Sequence, residues 1–234
     1  MKQSTKKNSP ISDKKYYFWL FLAMLILPGW AHAQTPELGL WTGLDLEKNI
    51  SRSFSVRLNT QVRFADNISV ARTYLLEPGL TYRLNKHWKV SGYYRYIRRL
   101  RWDAESRDYR YRPYSRFYAN LSYDRRLGDF KLDYRFRYQN QFKDAADGNI
   151  TTDKSYLRNR LKLSYKNDSR FTPFASADLF YRIGERFDQI RYKAGTDLKI
   201  NKYHSIDLFM FTDQALGEQK TPRIILGAQY KLEF

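Results

Sequence analysis

Apolar and polar side chains alternate along most of the chain from residue 37 onward, in segments of about 10–13 residues separated by connections. The clearest segment runs from Phe130 to Phe142. Its apolar face is made of Phe130, Leu132, Tyr134, Phe136, Tyr138 and Phe142. A strict period of two predicts a β-strand with two unlike faces, because a helix would place Arg135 and Arg137 among the aromatic residues.

Ten further segments repeat this alternation, at 38–47, 54–64, 74–84, 88–99, 114–124, 157–165, 171–183, 190–200, 203–213 and 224–234. Strands of this length can cross a bilayer, whereas the strands of soluble sandwiches are usually about 5–6 residues long. The pattern predicts an all-β fold, a single antiparallel up-and-down transmembrane β-barrel of about 10–12 strands. Bacterial barrels normally have an even strand number, so ten or twelve strands are expected rather than eleven.

The connections between these segments alternate in length. Short ones lie at 48–52, 85–87, 125–128, 167–170 and 201–202, and long ones at 65–71, 100–113, 143–154 and 214–221, with 184–186 as an exception. Outer-membrane barrels have short periplasmic turns and longer outer loops. The alternation therefore predicts that the connections 100–113, 143–154 and 214–221 lie outside the cell, and that the first strand starts from that side.

The first 33 residues have the order of a secretory signal peptide. Five lysines precede an apolar run from Tyr16 to Leu27, and Ala31, His32 and Ala33 then form a small-residue cleavage site. An uncleaved anchor is the alternative, but about 12 apolar residues are fewer than the roughly 20 a spanning helix needs. We expect export with cleavage after Ala33, and an outer-membrane β-barrel over residues 34–234 in contact with outer-membrane lipid and lipopolysaccharide.

The composition agrees with a barrel and excludes a fold stabilised by disulfides. The chain has no cysteine, and its 20 Tyr and 15 Phe suit the aromatic girdles of membrane barrels.

The chain ends on an alternating aromatic pattern formed by Tyr230, Leu232 and Phe234. This ending resembles the terminal-strand signal read by the bacterial barrel-assembly machinery, which is therefore an expected partner.

The polar faces of the predicted strands are strongly basic. The candidate lumen-lining basic residues are Arg57, Arg63, Arg83, Arg95, Arg116, Arg135, Arg137, Arg158, Arg160, Lys162, Arg182, Arg191 and Lys193, and the candidate acidic residues are Glu77, Asp124, Asp133, Asp178, Asp197 and Asp207. These charges either pair and fill a narrow lumen, or line a passage for anions. The filled lumen is favoured, because barrels of this size leave little room for an open channel.

The segment 98–112 mixes arginine with aromatic residues. In a cytoplasmic protein this composition would suggest nucleic acid, but an exported protein is expected to bind none. Its arginines could contact lipopolysaccharide phosphates, or the segment could be a solvated loop with local charge pairing.

Catalysis has little support in the sequence. After the signal segment, the two histidines are His87 and His204, and both lie beside short turns. No catalytic residues, metal ligands or cofactor are predicted. The expected function is a non-enzymatic barrel with a structural role, or a narrow passage for anions or small solutes. The alternatives are an outer-membrane enzyme acting on lipid A or phospholipid, and a soluble periplasmic barrel that binds an apolar ligand.

Several strand motifs together resemble one protein family. They are Gly92-Tyr93-Tyr94-Arg95-Tyr96, Tyr134-Arg135-Phe136-Arg137-Tyr138, Leu157-Arg158-Asn159-Arg160-Leu161, Ala177-Asp178-Leu179-Phe180-Tyr181 and Arg191-Tyr192-Lys193-Ala194-Gly195, with Trp41 and the turn at Asn201-Lys202. The chain resembles the uncharacterised bacterial outer-membrane β-barrel family known as domain of unknown function 2490. The resemblance covers most of residues 37–234, implies an outer-membrane barrel and supplies no activity. Gln139 and Asp178 stand where glutamate is expected in that family.

Overall fold

The computed structural model describes residues 36–104, 107–144, 150–217 and 223–234. Its strands are β1 Glu37–Asn49, β2 Phe54–Ala65, β3 Val70–Arg83, β4 Trp88–Asp103, β5 Asp108–Leu127, β6 Phe130–Asp144, β7 Ile150–Tyr165, β8 Phe171–Arg182, β9 Phe187–Lys199, β10 His204–Ala215 and β11 Arg223–Glu233. Within these ranges no helix has the length and apolar character needed to cross a membrane. The predicted signal peptide, residues 1–33, lies outside the described residues.

The described strands form a closed barrel in which each strand pairs with its neighbours in sequence and β1 pairs with β11. The β1–β11 pair is parallel, from Glu37 opposite Arg223 to Glu47 opposite Glu233, and the other pairs are antiparallel. The prediction of an all-β barrel is confirmed. The eleven described strands lie within the predicted range of about 10–12, and most pairs are antiparallel as predicted. The preference for an even number of strands is wrong. After eleven up-and-down strands the first and last run in the same direction, and a parallel ladder closes the sheet without an edge.

The alternation of side chains gives each strand a buried face and an exposed face, because successive Cβ atoms of a strand point to opposite sides. In β3, Leu76 is 44% exposed, whereas the flanking Leu75 and Glu77 are buried. The buried side chains of strands that are not neighbours meet, as Trp41 of β1 and Phe211 of β10 do with 4.8 Å between ring centroids. The buried face therefore lines the lumen, and the apolar alternating face points outward.

The two ends of the barrel differ in their connections. The turns at 50–53, 84–87, 128–129, 166–170 and 200–203 share one end with the carboxyl terminus, and this end is called the short-turn end. The start of β1 lies at the opposite end, which is called the rim.

Two of the predicted long loops, 100–113 and 143–154, are largely strand. In the first of these the alternation continues, since Leu100, Trp102, Tyr109 and Tyr111 share one face of a ladder that runs to Asp103 opposite Asp108.

The hairpin of β4 and β5 extends beyond its neighbours at the rim. The ladder between β3 and β4 ends at Thr73 opposite Arg99, and the ladder between β5 and β6 begins at Tyr114 opposite Lys143. Residues 100–103 and 108–113 therefore pair only with each other. This two-stranded projection is called the arm.

Asparagine side chains build two of the short turns. The Oδ1 atom of Asn85 accepts hydrogen bonds from the backbone N–H groups of His87 at 2.8 Å and Trp88 at 2.9 Å. Asn201 does the same for Tyr203 and His204, each at 2.9 Å. Asparagine favours such turns because its side chain replaces a backbone acceptor, so these hairpins are encoded locally.

Gly79 lies on the inward face of β3 opposite Tyr93, and a Cβ atom at Gly79 would overlap the Tyr93 ring. We expect Gly79→Ala to displace that ring and to lower the free energy of unfolding by about 1–3 kcal/mol. The measurement is urea unfolding of the refolded protein in detergent micelles. Gly92→Ala is the matched control, because nothing lies within 4 Å of a Cβ atom at Gly92. Equal stability of the two variants would contradict this packing.

Candidate functional site: the arginine-rich lumen

The charged residues predicted for the lumen occupy inward positions of their strands. Glu77, Arg137, Arg158, Asp178 and Asp207 are the most deeply buried of them, each less than 9% exposed. Charged side chains are rarely buried to this extent unless they are paired. The partners of these groups therefore determine what the lumen can do.

Eight of the thirteen predicted basic residues form ion pairs with inward carboxylates in the described part of the chain. These pairs are Arg57–Asp45, Arg95–Glu77, Arg135–Asp178 and Arg158–Asp178, Arg160–Asp133, Arg182–Asp188, Arg191–Asp213 and Lys193–Asp207. The Arg191–Asp213 pair is bidentate, with N···O distances of 2.7 and 2.8 Å. Bidentate pairing is the strongest geometry available to an arginine and a carboxylate.

Asp178 is the centre of the largest of these clusters. One of its oxygens accepts from Arg158, and the same oxygen lies 3.4 Å from Nη2 of Arg135. These arginines face Arg137 and Arg160 directly across the β6–β7 ladder, where like charges are destabilising. A carboxylate from β8 therefore pairs with one arginine of each facing pair, and Arg160 has its own partner in Asp133.

Five predicted basic residues have no carboxylate within 4 Å among the described residues. They are Arg63, Arg83, Arg116, Arg137 and Lys162. Amide oxygens replace carboxylates at three of them: Gln61 accepts from Arg63 at 2.9 Å, Gln141 from Arg116 at 3.1 Å and Asn120 from Arg137 at 2.7 Å. A neutral acceptor leaves the positive charge uncompensated, so this part of the lumen is basic.

Aromatic rings cover several of these cations. The guanidinium of Arg63 lies 3.6 Å from the ring centroid of Trp41, and that of Arg137 lies 3.9 Å from the ring of Tyr118. Nζ of Lys162 lies 3.9 Å from the ring of Phe174, one of the two most deeply buried large side chains. Cation–π contacts of this kind hold a cation in place and leave its charge unneutralised.

Trp41 and Asp45 are lumen residues that were not predicted, although both belong to the inward face of β1. The sequence pattern indicates this inward position, because the apolar residues Leu38, Leu40, Leu44 and Leu46 alternate with them. Asp213, the partner of Arg191, was missed for a different reason. Its strand alternates only weakly there, and cross-strand contacts alone identify its partner.

The arm has its own charge pattern. Arg99 lies opposite Arg112, and Arg101 lies opposite Arg110. Arg112 pairs with Asp103 at 3.0 Å, whereas Arg101 and Arg110 make no ion pair with a described residue. On the outward side Trp102 and Tyr109 pack edge to face and are 57% and 60% exposed.

The lumen opens at the short-turn end into a cavity of about 470 Å³. Its walls include Asp45, Arg57, Asp197 and Lys231. Nζ of Lys231 lies 2.9 Å from Asp197 and 3.5 Å from Asp207. Opposite charges alternate around this mouth, so the uncompensated arginines lie elsewhere in the lumen.

Both histidines are occupied by neighbouring groups at the short-turn end. Nδ1 of His87 lies 2.9 Å from the carbonyl oxygen of Asp124, and Nδ1 of His204 contacts the hydroxyl of Tyr230. Within the described ranges, no group of three or more His, Cys, Asp or Glu side chains could hold a metal ion.

The predicted assembly signal ends β11 at the closing seam. Tyr230 and Leu232 lie opposite Ile206 and His204 of β10, and the backbone N–H of Phe234 donates to the carbonyl of Glu47 at 3.0 Å. The Phe234 ring is 52% exposed. These three side chains point outward, and none of them contributes to the lumen.

Removing the carboxylate of Asp178 leaves Arg135 and Arg158 without their shared counter-charge. We expect Asp178→Asn to lower the free energy of unfolding by about 3–5 kcal/mol, because an uncompensated buried charge is costly. Denaturant unfolding in micelles, followed by tryptophan fluorescence, measures this loss. Asp66→Asn is the control, since it removes only the exposed pair with Arg72 and should cost less than about 1 kcal/mol. Equal losses in both variants would refute the role of Asp178.

Comparison with known proteins identifies the family of the chain. No curated protein matches the sequence. The profile of a family described as protein of unknown function, DUF2490, matches residues 38–216, which include β1 to β10. The match covers well over half of the chain and agrees with the resemblance seen in the strand motifs. The chain belongs to the DUF2490 family.

Proposed function

We propose that this protein is a non-enzymatic barrel of the bacterial outer membrane whose basic lumen gives narrow passage to small anions. In this proposal a signal peptide cleaved after Ala33 directs export. The barrel-assembly machinery then inserts residues 34–234 into a bilayer of outer-membrane lipid and lipopolysaccharide.

The observation that carries the membrane location is an uncharged band around the outside of the barrel. Two belts of outward aromatic residues border it: Phe54, Tyr82, Trp88, Tyr123, Phe130, Tyr165, Phe171 and Phe234 at the short-turn end, and Phe64, Tyr74, Tyr94, Phe117, Tyr138, Tyr181 and Tyr192 toward the rim. Between these belts, the outward positions of the described residues of β2 to β11 contain no Lys, Arg, Asp or Glu. On β1, Lys48 lies at the border of the band, with its Nζ 5.4 Å from the ring of Phe234. Transmembrane barrels have an apolar band of this kind, flanked by aromatic girdles.

The height of the band also fits a bilayer. Tyr74 and Tyr82 border it on β3, and Phe171 and Tyr181 border it on β8. Eight to ten residues of a strand tilted by about 40° span about 20–25 Å, close to the hydrocarbon band of outer-membrane barrels.

The distribution of polarity favours this location over a soluble barrel that binds an apolar ligand. Such a barrel needs apolar side chains inside and polar ones outside. Here Glu77 and Asp178 are 4% exposed, whereas Leu80 and Leu226 are 53% and 40% exposed. Exposed aliphatic residues in this number would be unfavourable in water and are favourable in lipid.

The orientation follows from the ends of the barrel. Short turns are periplasmic in outer-membrane barrels, so the short-turn end and Phe234 would face the periplasm and the arm would project from the cell surface. The occupied histidines would then lie on the periplasmic side, which supports a non-enzymatic role.

The passage is proposed to be narrow and selective for anions. A barrel of eleven strands has a backbone diameter of about 20 Å, and the inward arginine and aromatic side chains fill much of that width. Uncompensated positive charge on Arg63, Arg116 and Arg137 lowers the energy of an anion in the lumen and raises that of a cation.

A charge on the outward band tests the membrane location. We expect Leu76→Arg to destabilise the barrel in phospholipid vesicles by about 2–4 kcal/mol, because arginine is costly at the bilayer midplane. Leu84→Arg, just beyond the aromatic belt at Tyr82, should cost about 0–1 kcal/mol. Reversible denaturant unfolding from vesicles measures both. If Leu76→Arg costs no more than Leu84→Arg, Leu76 does not face lipid and the proposed location is wrong.

Planar-bilayer recording tests the passage. We expect small currents whose reversal potential in a KCl gradient shifts toward that of chloride, and Arg116→Glu should reduce this shift. Arg98→Glu is the matched control, since Arg98 lies on the outward face of β4. Absence of current in both polarities, or a preference for potassium, would refute anion passage.

A further inference from the structure

We infer that the arginines on the inner face at the rim form a binding site for phosphate-type oxyanions carrying two or more negative charges. The site is the rim cluster, defined as Arg63, Arg99, Arg101, Arg110 and Arg116. This inference deepens the proposed function, and it relies on the proposed orientation only for the source of the ligand.

The rim cluster is assembled by strand register. Arg63, Thr73, Arg99 and Arg112 lie opposite one another in a single row across β2, β3, β4 and β5. Adjacent strands are about 4.8 Å apart, so the backbones of Arg63 and Arg99 are separated by about 10 Å. Their long side chains can therefore converge on one ligand.

The β4–β5 ladder adds like-charged pairs above and below this row. Arg101 lies opposite Arg110 on the arm, and Arg95 lies opposite Arg116 deeper in the lumen. Like charges directly opposite one another destabilise a ladder unless a counter-charge is present.

Elsewhere in this barrel, carboxylates of the protein itself supply the counter-charge for facing arginines. On β6 and β7, Arg135 faces Arg160, and these two pair with Asp178 and Asp133. Asp178 also pairs with Arg158, which faces Arg137. At the rim, Glu77 serves Arg95 and Asp103 serves Arg112. None of the rim cluster residues forms an ion pair with a carboxylate of the described residues.

The chemistry of the missing counter-charge follows from the side chains. The planar fork of an arginine matches two oxygens of a phosphate group, and several arginines around one cavity favour a multiply charged oxyanion over chloride. The cluster faces the lumen, so a soluble phosphate entering the barrel can reach it. A phosphate group of lipopolysaccharide at the rim has the same chemistry and is the second source to be distinguished.

Titration calorimetry with sodium pyrophosphate tests the site, using the refolded full barrel in phosphate-free detergent micelles. We expect saturable binding that weakens at high salt. Arg63→Gln and Arg99→Gln should each weaken it by roughly tenfold or more, because each removes charge-assisted hydrogen bonds. Arg99→Lys should bind at an intermediate level, since the charge remains and the fork is lost.

Two controls separate a specific site from general attraction to a basic protein. Arg98→Gln removes an arginine from the opposite face of the same strand, and Arg83→Gln removes one from the other end of the lumen. Both should bind pyrophosphate within about twofold of the unchanged barrel. Heat-modifiable migration on a gel verifies that every variant is folded. An equal loss in Arg98→Gln and Arg99→Gln would overturn the site.

Micelles containing lipid A or its dephosphorylated form distinguish the sources of the ligand. Binding of pyrophosphate, of phosphorylated lipid A or of both supports the site if Arg63→Gln and Arg99→Gln weaken it. Absence of saturable binding to both probes overturns the inference. Anion currents without such binding would refute the rim site and leave the proposed passage intact. Binding without anion currents would support the rim site and refute the proposed passage.

Discussion

The pairing of β1 with β11 is the constraint on which the rest of this structure depends. An open sheet would leave the N–H and C=O groups of its two edge strands unpaired, and in the proposed bilayer no water could bond them. Closure removes both edges and converts the two faces into an outside and an inside. The parallel direction of the pair follows from the odd strand number, and its eleven register positions make it as extensive as its neighbours.

Closure also forces the polar faces of all strands into one confined space. Charges that would be solvated on an open sheet must there find partners from other strands. The lumen does this in two ways: carboxylates such as Asp178 neutralise facing arginines, while amides and aromatic rings hold Arg63 and Arg137 without neutralising them. The second arrangement concentrates positive charge in the lumen and at the rim, and both functional proposals depend on it.

In the proposed membrane location, the outer face has to meet fewer requirements than the lumen. Outward positions need only be uncharged in the band and aromatic at its borders, whereas inward positions need matched partners. This division explains how a chain with a polar mean hydropathy of −0.71 can present a continuous apolar surface.

The sequence by itself determined the class of fold, the eleven alternating segments and which residues face the lumen, because a strand's period of two depends only on local geometry. It also identified the family through strand motifs such as that around Arg135. Strand number was misjudged, since a general preference for even barrels was weighted above the visible segments. Only the tertiary structure decided which charges meet. Arg135 and Asp178, or Trp41 and Phe211, lie on strands that are not neighbours in sequence. Their contact depends on register and closure, which no local pattern encodes.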